Sequence, residues 1–298
     1  MFMDLKFKNY SCFVCFKRNF SKTEFYQNMF DERFNILKCN TCKSYFIDKI
    51  PLNIETYNYL YDVGGSDSTL ELSKVFRNLR IIKTKKYLKK FLNTYLVKNN
   101  TILDFGGGDG YLSYAIKEIN PNLKVFLSDI SKPNSIYTEE INFLTIEELE
   151  RSNNKFDVII LRHVLEHLEN PLETINFLYE KLNTGGVIFI EVPNFDLKNN
   201  IVLKFVKNQW THIALPWHFN HFSQSSFSKM LEGFTISFEK YNVTNAGQFV
   251  WLLSSPFRYL RTFTLKQLFF ISLFPIFATI NFITPSHTAI ILKIHKEN

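Results

Sequence analysis

Past residue 42 this chain of 298 residues contains no cysteine. Its first residues, Met1-Phe-Met-Asp-Leu-Lys6, lack an apolar core followed by a cleavage site, so no export leader is expected. Both absences argue against a disulfide-stapled secreted scaffold and place the protein in a reducing cytoplasm. Charge is missing elsewhere: from Leu268 to Leu292 there is no Asp, Glu, Lys or Arg. Pro275, Ser272, Thr279 and Asn281 interrupt the Phe- and Ile-rich stretch Leu268–Ile283, which falls short of a clean transmembrane helix. A helical hairpin packed on the domain or on a second copy fits it better, or an element lying on a membrane surface.

What is present is ordinary for a globular protein, with 46% hydrophobic and 21% charged residues. The length accommodates one full α/β domain and a smaller piece. The 32 phenylalanines read as a genomic bias. The net charge of +7 is spread along the chain apart from the cluster Lys83, Lys85, Lys86, Lys89 and Lys90, which reads as a solvated helix face.

All four cysteines form two knuckles, Cys12-x2-Cys15 and Cys39-x2-Cys42, with 23 residues between them. Two such pairs can give four thiolates to one tetrahedral zinc. A redox pair would need a thioredoxin-like context, which neither knuckle has. Four thiolates leave the metal no open position, so the zinc would be structural. Residues 1–50 are therefore read as a zinc-ribbon-like module. Residues 51–98 are read as a linker and an amphipathic helix. The linker is aromatic (Tyr57, Tyr59, Tyr61), with a Gly-Ser tip, and its tyrosines fit either a lid or packing between domains. The helix is expected over Thr69–Leu96, with a break near 83–86. Residues 99–298 form the main domain, with the apolar insert at about 245–285.

The main domain opens with Thr101-Ile-Leu-Asp-Phe-Gly-Gly-Gly-Asp-Gly110, a buried strand running into a glycine turn, followed by a helix carrying Tyr111, Leu112, Ala115, Ile116 and Ile119. The dinucleotide fingerprint would require a glycine at 111, where Tyr111 stands. Asp104 inside the turn would repel a pyrophosphate, so a ligand with a cationic end fits better. A second strand leads to Ser128-Asp129, 21 positions after Gly108, where an acidic residue can accept from both hydroxyls of a ribose. Ile141–Leu144 is a third strand, followed by the capping box Thr145-Ile-Glu-Glu148; Phe156–Leu161 is a fourth strand and Val187–Val192 a fifth. This alternation predicts a parallel sheet with helices on both faces and a ligand at the carboxyl ends of its strands, where Asp104, Asp129, Arg162 and His163 all fall. Five of seven histidines lie in two stretches: His163 and His167, then His212, His218 and His221. Histidine can take a proton from a hydroxyl or an acidic carbon near neutral pH, so His218, His221 and His167 are the candidate general bases. His163 and His167, four apart on an expected helix, could share a face, yet no third metal ligand is evident beside them.

The turn Asp104-x-Gly106-x-Gly108, the stretch Val164-Leu-Glu-His-Leu168 and Leu182-x-x-Gly185-Gly186 resemble the motifs of class I S-adenosylmethionine-dependent methyltransferases. The resemblance implies a Rossmann-like, doubly wound, mostly parallel seven-stranded sheet, finished by an antiparallel pair at Phe234–Val243 and Ala289–His295. It implies S-adenosylmethionine as cofactor, with Asp104 serving the ammonium of the methionine end and Phe105, Gly106, Gly107 and Gly108 passing under it. Asp129 and Ile130 would then serve the ribose side, and Arg162 and His163 the neighbouring strand end. With the ribbon and the Trp217-His218…His221 loop, the chain also resembles bacterial sugar C-methyltransferases, where histidine and tyrosine near that loop act on the sugar. Here Asn220 stands between the histidines in place of their acidic residue. The expectation is therefore the broader one: O- or C-methylation of a small molecule or a sugar or glycan precursor. The alternatives are a nucleic-acid methyltransferase using the ribbon and the positive charge, and a non-catalytic nucleotide-binding scaffold. Nucleic acid is not the expected partner. Residues 256–285 are expected to contact a membrane surface or a second copy, which places the protein in the cytoplasm, peripheral to the inner face of the membrane.

Overall fold

A computed structural model of the chain describes residues 5–64, 74–96, 100–130, 132, 133, 135, 137, 141–196, 213–239 and 289–297. The insert at 245–285, and with it the membrane or second-copy contact expected at 256–285, lies outside these residues. So do His212, the tip at 65–68 and the expected helix start at Thr69. Among the described residues no helix is long and apolar enough to cross a membrane.

The amino-terminal module consists of β1 (Phe7–Asn9), β2 (Phe20–Met29), β3 (Glu32–Cys39), β4 (Tyr45–Ile47) and β5 (Lys49–Pro51). β1 pairs with β5, and β2, β3 and β4 form an antiparallel sheet. A strand from far along the chain completes it: β11 (Asn220–His221) adds to the free edge of β4, with Asn220 opposite Phe46 and His221 opposite Tyr45. The module is thus built into the main domain. Phe13 packs edge-on against Phe222 at 5.0 Å, and both are buried.

Residues 54–64, expected as linker, are helical: α1 runs Ile54–Gly64. Its start signal is Asn53, whose Oδ1 accepts the Thr56 amide at 3.0 Å. α2 (Lys74–Leu96) continues through 83–86, where a break was expected. Leu88, Leu92 and Leu96 recur every four residues along it and are buried, and Tyr87 and Phe91 beside them pack on Phe189, so an apolar face holds it on the sheet. Lys83, Lys86, Lys89 and Lys90 lie exposed on the opposite face.

The main sheet holds β6 (Thr101–Phe105), β7 (Lys124–Asp129), β8 (Asn142–Thr145), β9 (Phe156–Arg162), β10 (Leu182–Pro193), β12 (Thr235–Glu239) and β13 (Ala289–His295), in the order β12-β13-β10-β9-β6-β7-β8. β8, β7, β6, β9 and β10 are mutually parallel, while β13 runs antiparallel to both β10 and β12. This is a Rossmann-like, mostly parallel seven-stranded sheet, closed by the expected antiparallel pair. Strand residues alternate between two cores. Ile102, Val158 and Ile160 face α2 and α3 (Tyr111–Ile119), whereas Leu103, Ile159 and Leu161 face α4 (Ile146–Arg151), α5 (Pro171–Glu180) and α6 (Gln224–Met230). The Thr145–Glu148 capping box forms at α4. Asn170 precedes Pro171 at the start of α5, but its side chain makes no cap hydrogen bond. The chain winds outward from β6 in both directions, so a crevice opens at the carboxyl ends of β6 and β9.

Asn220 ties the two parts together. Its Nδ2 donates to the carbonyls of Leu165 (3.2 Å) and Leu168 (2.6 Å), and its Oδ1 lies 3.0 Å from the Tyr10 hydroxyl, all with the side chain 1% exposed. Asn220→Ala leaves two carbonyls short of a donor in a place water does not reach. The expected loss of unfolding free energy is about 2–4 kcal/mol, to be read from urea denaturation; a change under about 0.5 kcal/mol would show that the network carries no stability.

Candidate functional site

The glycine turn is shaped by what surrounds it. Gly106 has φ +69°, and a Cβ there would meet Val164 Cγ2 at 2.6 Å, so only glycine fits. Its amide donates to the Ser128 carbonyl at 2.7 Å, fastening the turn to the end of β7. Asp129 completes the join: Oδ2 accepts from Gly108 N at 2.9 Å and Oδ1 from Ile130 N at 2.7 Å. Each oxygen keeps a lone pair for a further donor.

A cavity of about 610 Å³ opens above these strand ends. Of the residues assigned to cofactor binding, Phe105, Gly106, Asp129, Ile130 and His163 line it. Gly107 and Gly108 complete the turn behind them. Asp104 lies beneath it: the carboxyl is 1% exposed, accepts from Ser113 Oγ at 2.7 Å, and would sit 2.6 Å from a Cβ on Gly107. From there Asp104 underpins the turn and does not itself line the cavity. Burial pushes its pKa up to about 7, against the hydrogen bonds from Ser113.

Arg162 and His163 form the polar end of β9 around Glu191 of β10. Arg162 Nε donates to Glu191 Oε2 at 3.0 Å, and its Nη1 to the Tyr111 hydroxyl. The Tyr87 hydroxyl donates to the same carboxylate. His163 bridges two acids, with Nε2 3.4 Å from Glu191 Oε1 and Nδ1 3.3 Å from Glu166 Oε1. Burial would lower its pKa, but the two carboxylates outweigh it and raise it to about 9. Burial would raise that of Glu191, yet Arg162, His163 and Tyr87 hold it at about 2. His163 has φ +56°, and Leu165–His167 form a single 3₁₀ turn. The helix expected over this stretch is therefore absent, and His163 and His167 do not share a helical face; the left-handed residue ends the regular backbone after β9.

The candidate bases are placed differently from one another. His167 lines the cavity, with Nδ1 2.9 Å from the Trp217 carbonyl oxygen. His218 stands behind it, ring to ring at 4.8 Å. His221 is 3% exposed, packs against Phe195, and has Nε2 3.1 Å from the Ile213 carbonyl; burial lowers its pKa to about 4. Its place is in the seam between ribbon and domain rather than on the cavity. Tyr57, one of the linker tyrosines expected as lid or packing, also lines the cavity, as do Glu150, Glu169, Asn170 and Glu173, which the sequence did not single out as site residues. Nor was Glu191 singled out, although an acid inside an otherwise apolar strand was a signal.

The four cysteines converge. Cys12 and Cys42 sulfurs are 3.2 Å apart, Cys15 and Cys39 3.5 Å, and all four lie within 4.8 Å of one another. Sulfurs about 2.3 Å from one zinc lie roughly 3.8 Å apart, so the donor set fits that ion. Burial raises the thiol of Cys12, while the amides of Cys42 and Thr41 overcome burial at Cys39 and lower it to about 6.

A model of the methyltransferase domain family matches residues 76–235. The tRNA U34 carboxymethyltransferase of Campylobacter fetus subsp. fetus is 28% identical over 198 residues, covering 58% of this chain and 66% of its own length. The ubiquinone biosynthesis O-methyltransferase of Hydrogenovibrio crunogenus is 25% identical over 133 residues, 42% of this chain and 54% of its own length. The plantazolicin methyltransferase BpumL in complex with SAH is 16% identical, covers 83% of this chain and 92% of its own, and has a TM-score of 0.48. The chain spans less than two thirds of the length of the curated relatives it matches.

Asp104 generates a pH signature. The folded state keeps its proton up to about 7, whereas the unfolded chain loses it near 3.8. Between those values the folded state binds more protons, so this group's contribution to stability falls as pH rises. Asp104→Asn is expected to gain stability relative to the parent between pH 5 and pH 8 in paired urea titrations. A constant difference across that range would show that Asp104 ionises normally.

Proposed function

The chain belongs to the methyltransferase domain family, and from that premise we propose that it transfers the methyl group of S-adenosylmethionine to a small-molecule or sugar acceptor held in the cavity beside His167. The observation that carries the cofactor is the joined turn: Gly106 pressed on Val164, with the Asp129 carboxylate reaching the Gly108 amide. The turn leaves room for a ligand backbone-close, and Asp129 offers its remaining lone pairs to ribose hydroxyls. Displacement at the sulfonium carbon demands alignment of acceptor and cofactor, and positioning supplies much of the rate. His167 would act as the base that takes a proton from an acceptor hydroxyl. Its Nδ1 faces a carbonyl, which can only accept, so the proton resides there and Nε2 keeps its lone pair.

The cavity rim favours a small acceptor over a polyanion. Asp129, Glu150, Glu169 and Glu173 all line it; Lys8 pairs with Glu169 at 2.8 Å and His163 adds one positive charge, so the lining keeps an excess of carboxylates that disfavours a phosphate backbone. A nucleic-acid acceptor is the second reading, favoured by the named activity of the Campylobacter relative. Its signature would be binding that falls steeply with salt.

The cofactor reading is tested by calorimetric titration of the full chain with S-adenosylmethionine. One site per chain is expected. Asp129→Ala should weaken it about tenfold or more, the loss of a charge-assisted hydrogen bond worth roughly 1.5–3 kcal/mol, and Gly106→Ala should abolish it. No saturable binding in folded protein would overturn the reading.

We further propose that Cys12, Cys15, Cys39 and Cys42 hold a structural zinc. Because β4 of the ribbon carries β11, loss of the metal should loosen the His218–His221 segment as well as the ribbon. One zinc per chain by elemental analysis is expected, with four thiols becoming reactive on chelation. Four thiols freely reactive before chelation would contradict it.

A further inference from the structure

We propose that Glu166, His167 and His218 form a second metal site, separate from the cysteines, which takes a divalent transition-metal ion at the acceptor end of the cavity. One donor atom from each of the three lies within 4.8 Å of the others. Ligands about 2.1 Å from a common ion stand somewhat closer than that, so small side-chain rotations would close the set.

Three features of the surroundings suit a metal. The first is the buried carboxylate. Glu166 is 1% exposed; Oε1 meets His163, while Oε2 is buried with no hydrogen-bond partner among the described residues. An orphaned carboxylate oxygen in the interior is costly and calls for a counterpart. A general base at His167 and His218 would leave that oxygen unexplained, whereas a cation accounts for it.

The second feature is the tautomer of His167. Its Nδ1 is 2.9 Å from the Trp217 carbonyl, which fixes the proton on Nδ1 and leaves Nε2 as the donor, the usual outer arrangement of a metal-binding histidine. The third is rigidity. His218 comes from 51 residues further along the chain than His167, but its neighbourhood is fastened to the turn that carries the other two. The Phe219 amide donates to the Glu166 carbonyl at 2.7 Å, Asn220 clamps Leu165 and Leu168, and the Trp217 indole donates to the Leu60 carbonyl at 2.7 Å. A site built on such cross-links is preorganised.

Two imidazoles and one carboxylate favour manganese, iron, cobalt, nickel or zinc over magnesium or calcium, and three protein ligands leave positions for outside oxygens. The role of the site rests on the cofactor reading proposed above, with the ion taking the His167 Nε2 lone pair and replacing that residue as the base: the acceptor would then be an oxygen chelator, such as a vicinal diol or a hydroxy-ketone, whose hydroxyl ionises more readily at the ion.

The test is titration of the full, zinc-loaded chain with manganese(II), followed by electron paramagnetic resonance of the free ion, with S-adenosylmethionine titrated calorimetrically in the same preparations. Manganese is chosen because the four thiolates prefer zinc. One saturable site per chain is expected, weakened about tenfold or more in Glu166→Gln, His167→Gln and His218→Gln, with unfolding midpoints confirming that each variant folds. Glu166→Gln preserves size and is decisive if either histidine variant fails to fold. No saturable site below millimolar manganese, or binding indifferent to Glu166→Gln, overturns the inference. If the parent binds S-adenosylmethionine and no manganese, the metal site alone falls. If it binds manganese here and no S-adenosylmethionine, the methyltransferase reading falls and the site stands.

Discussion

The carboxylate of Glu191 is the group on which the cavity wall depends. It is 5% exposed at the end of β10 and meets Arg162, His163 and Tyr87. A buried carboxylate without partners would be strongly destabilising, so these contacts are obligatory. Through them one side chain joins β10, β9 and α2, and Arg162 carries the link to Tyr111 at the start of α3. Arg80 of α2 stacks over the same Tyr111 ring at 3.4 Å and pairs with Asp109 at 3.0 Å. The His163 amide also donates to the Glu191 carbonyl at 2.9 Å, which holds the chain as it leaves β9 in a left-handed conformation. Val164, the next residue, is thereby pressed on Gly106.

From that hub the site reads as two halves sharing one turn. On one side Val164 closes the glycine turn, and the turn reaches Asp129. On the other side Glu166 and His167 project from the 3₁₀ turn toward the segment that carries His218. The amino-terminal module belongs to this second half: β11 is an edge strand of its sheet, and Tyr10 reaches Asn220. The ribbon is therefore part of what positions the histidines.

The sequence made the sheet and the glycine turn legible because both are local. Thr101–Phe105 and Ala289–His295 were read to the residue, since short apolar runs bounded by polar or glycine signals leave little choice of register. The capping box at Thr145 was legible for the same reason. What escaped depends on distant contacts. α1 was taken for linker because its helical start is a single Asn53 cap among aromatic residues. The break expected near 83–86 reflected a lysine cluster, but lysines interrupt an apolar pattern without interrupting a helix. His163 and His167 were expected on one helix face, yet the His163 amide donates to the Glu191 carbonyl and its φ of +56° keeps the backbone out of a helix there. The partner of His167 lies 51 residues further along the chain, and spacing alone could not show it.

On the function proposed here, the glycine turn, the end of β7 and the turn after β9 are three walls of one ligand site. Hydrogen–deuterium exchange of the full chain, with and without saturating S-adenosylhomocysteine, addresses it directly. Peptides covering 104–110, 127–131 and 162–168 are expected to gain protection together, while the strands of the ribbon change little. Protection confined to one of the three, or appearing elsewhere in a saturated sample, would contradict it.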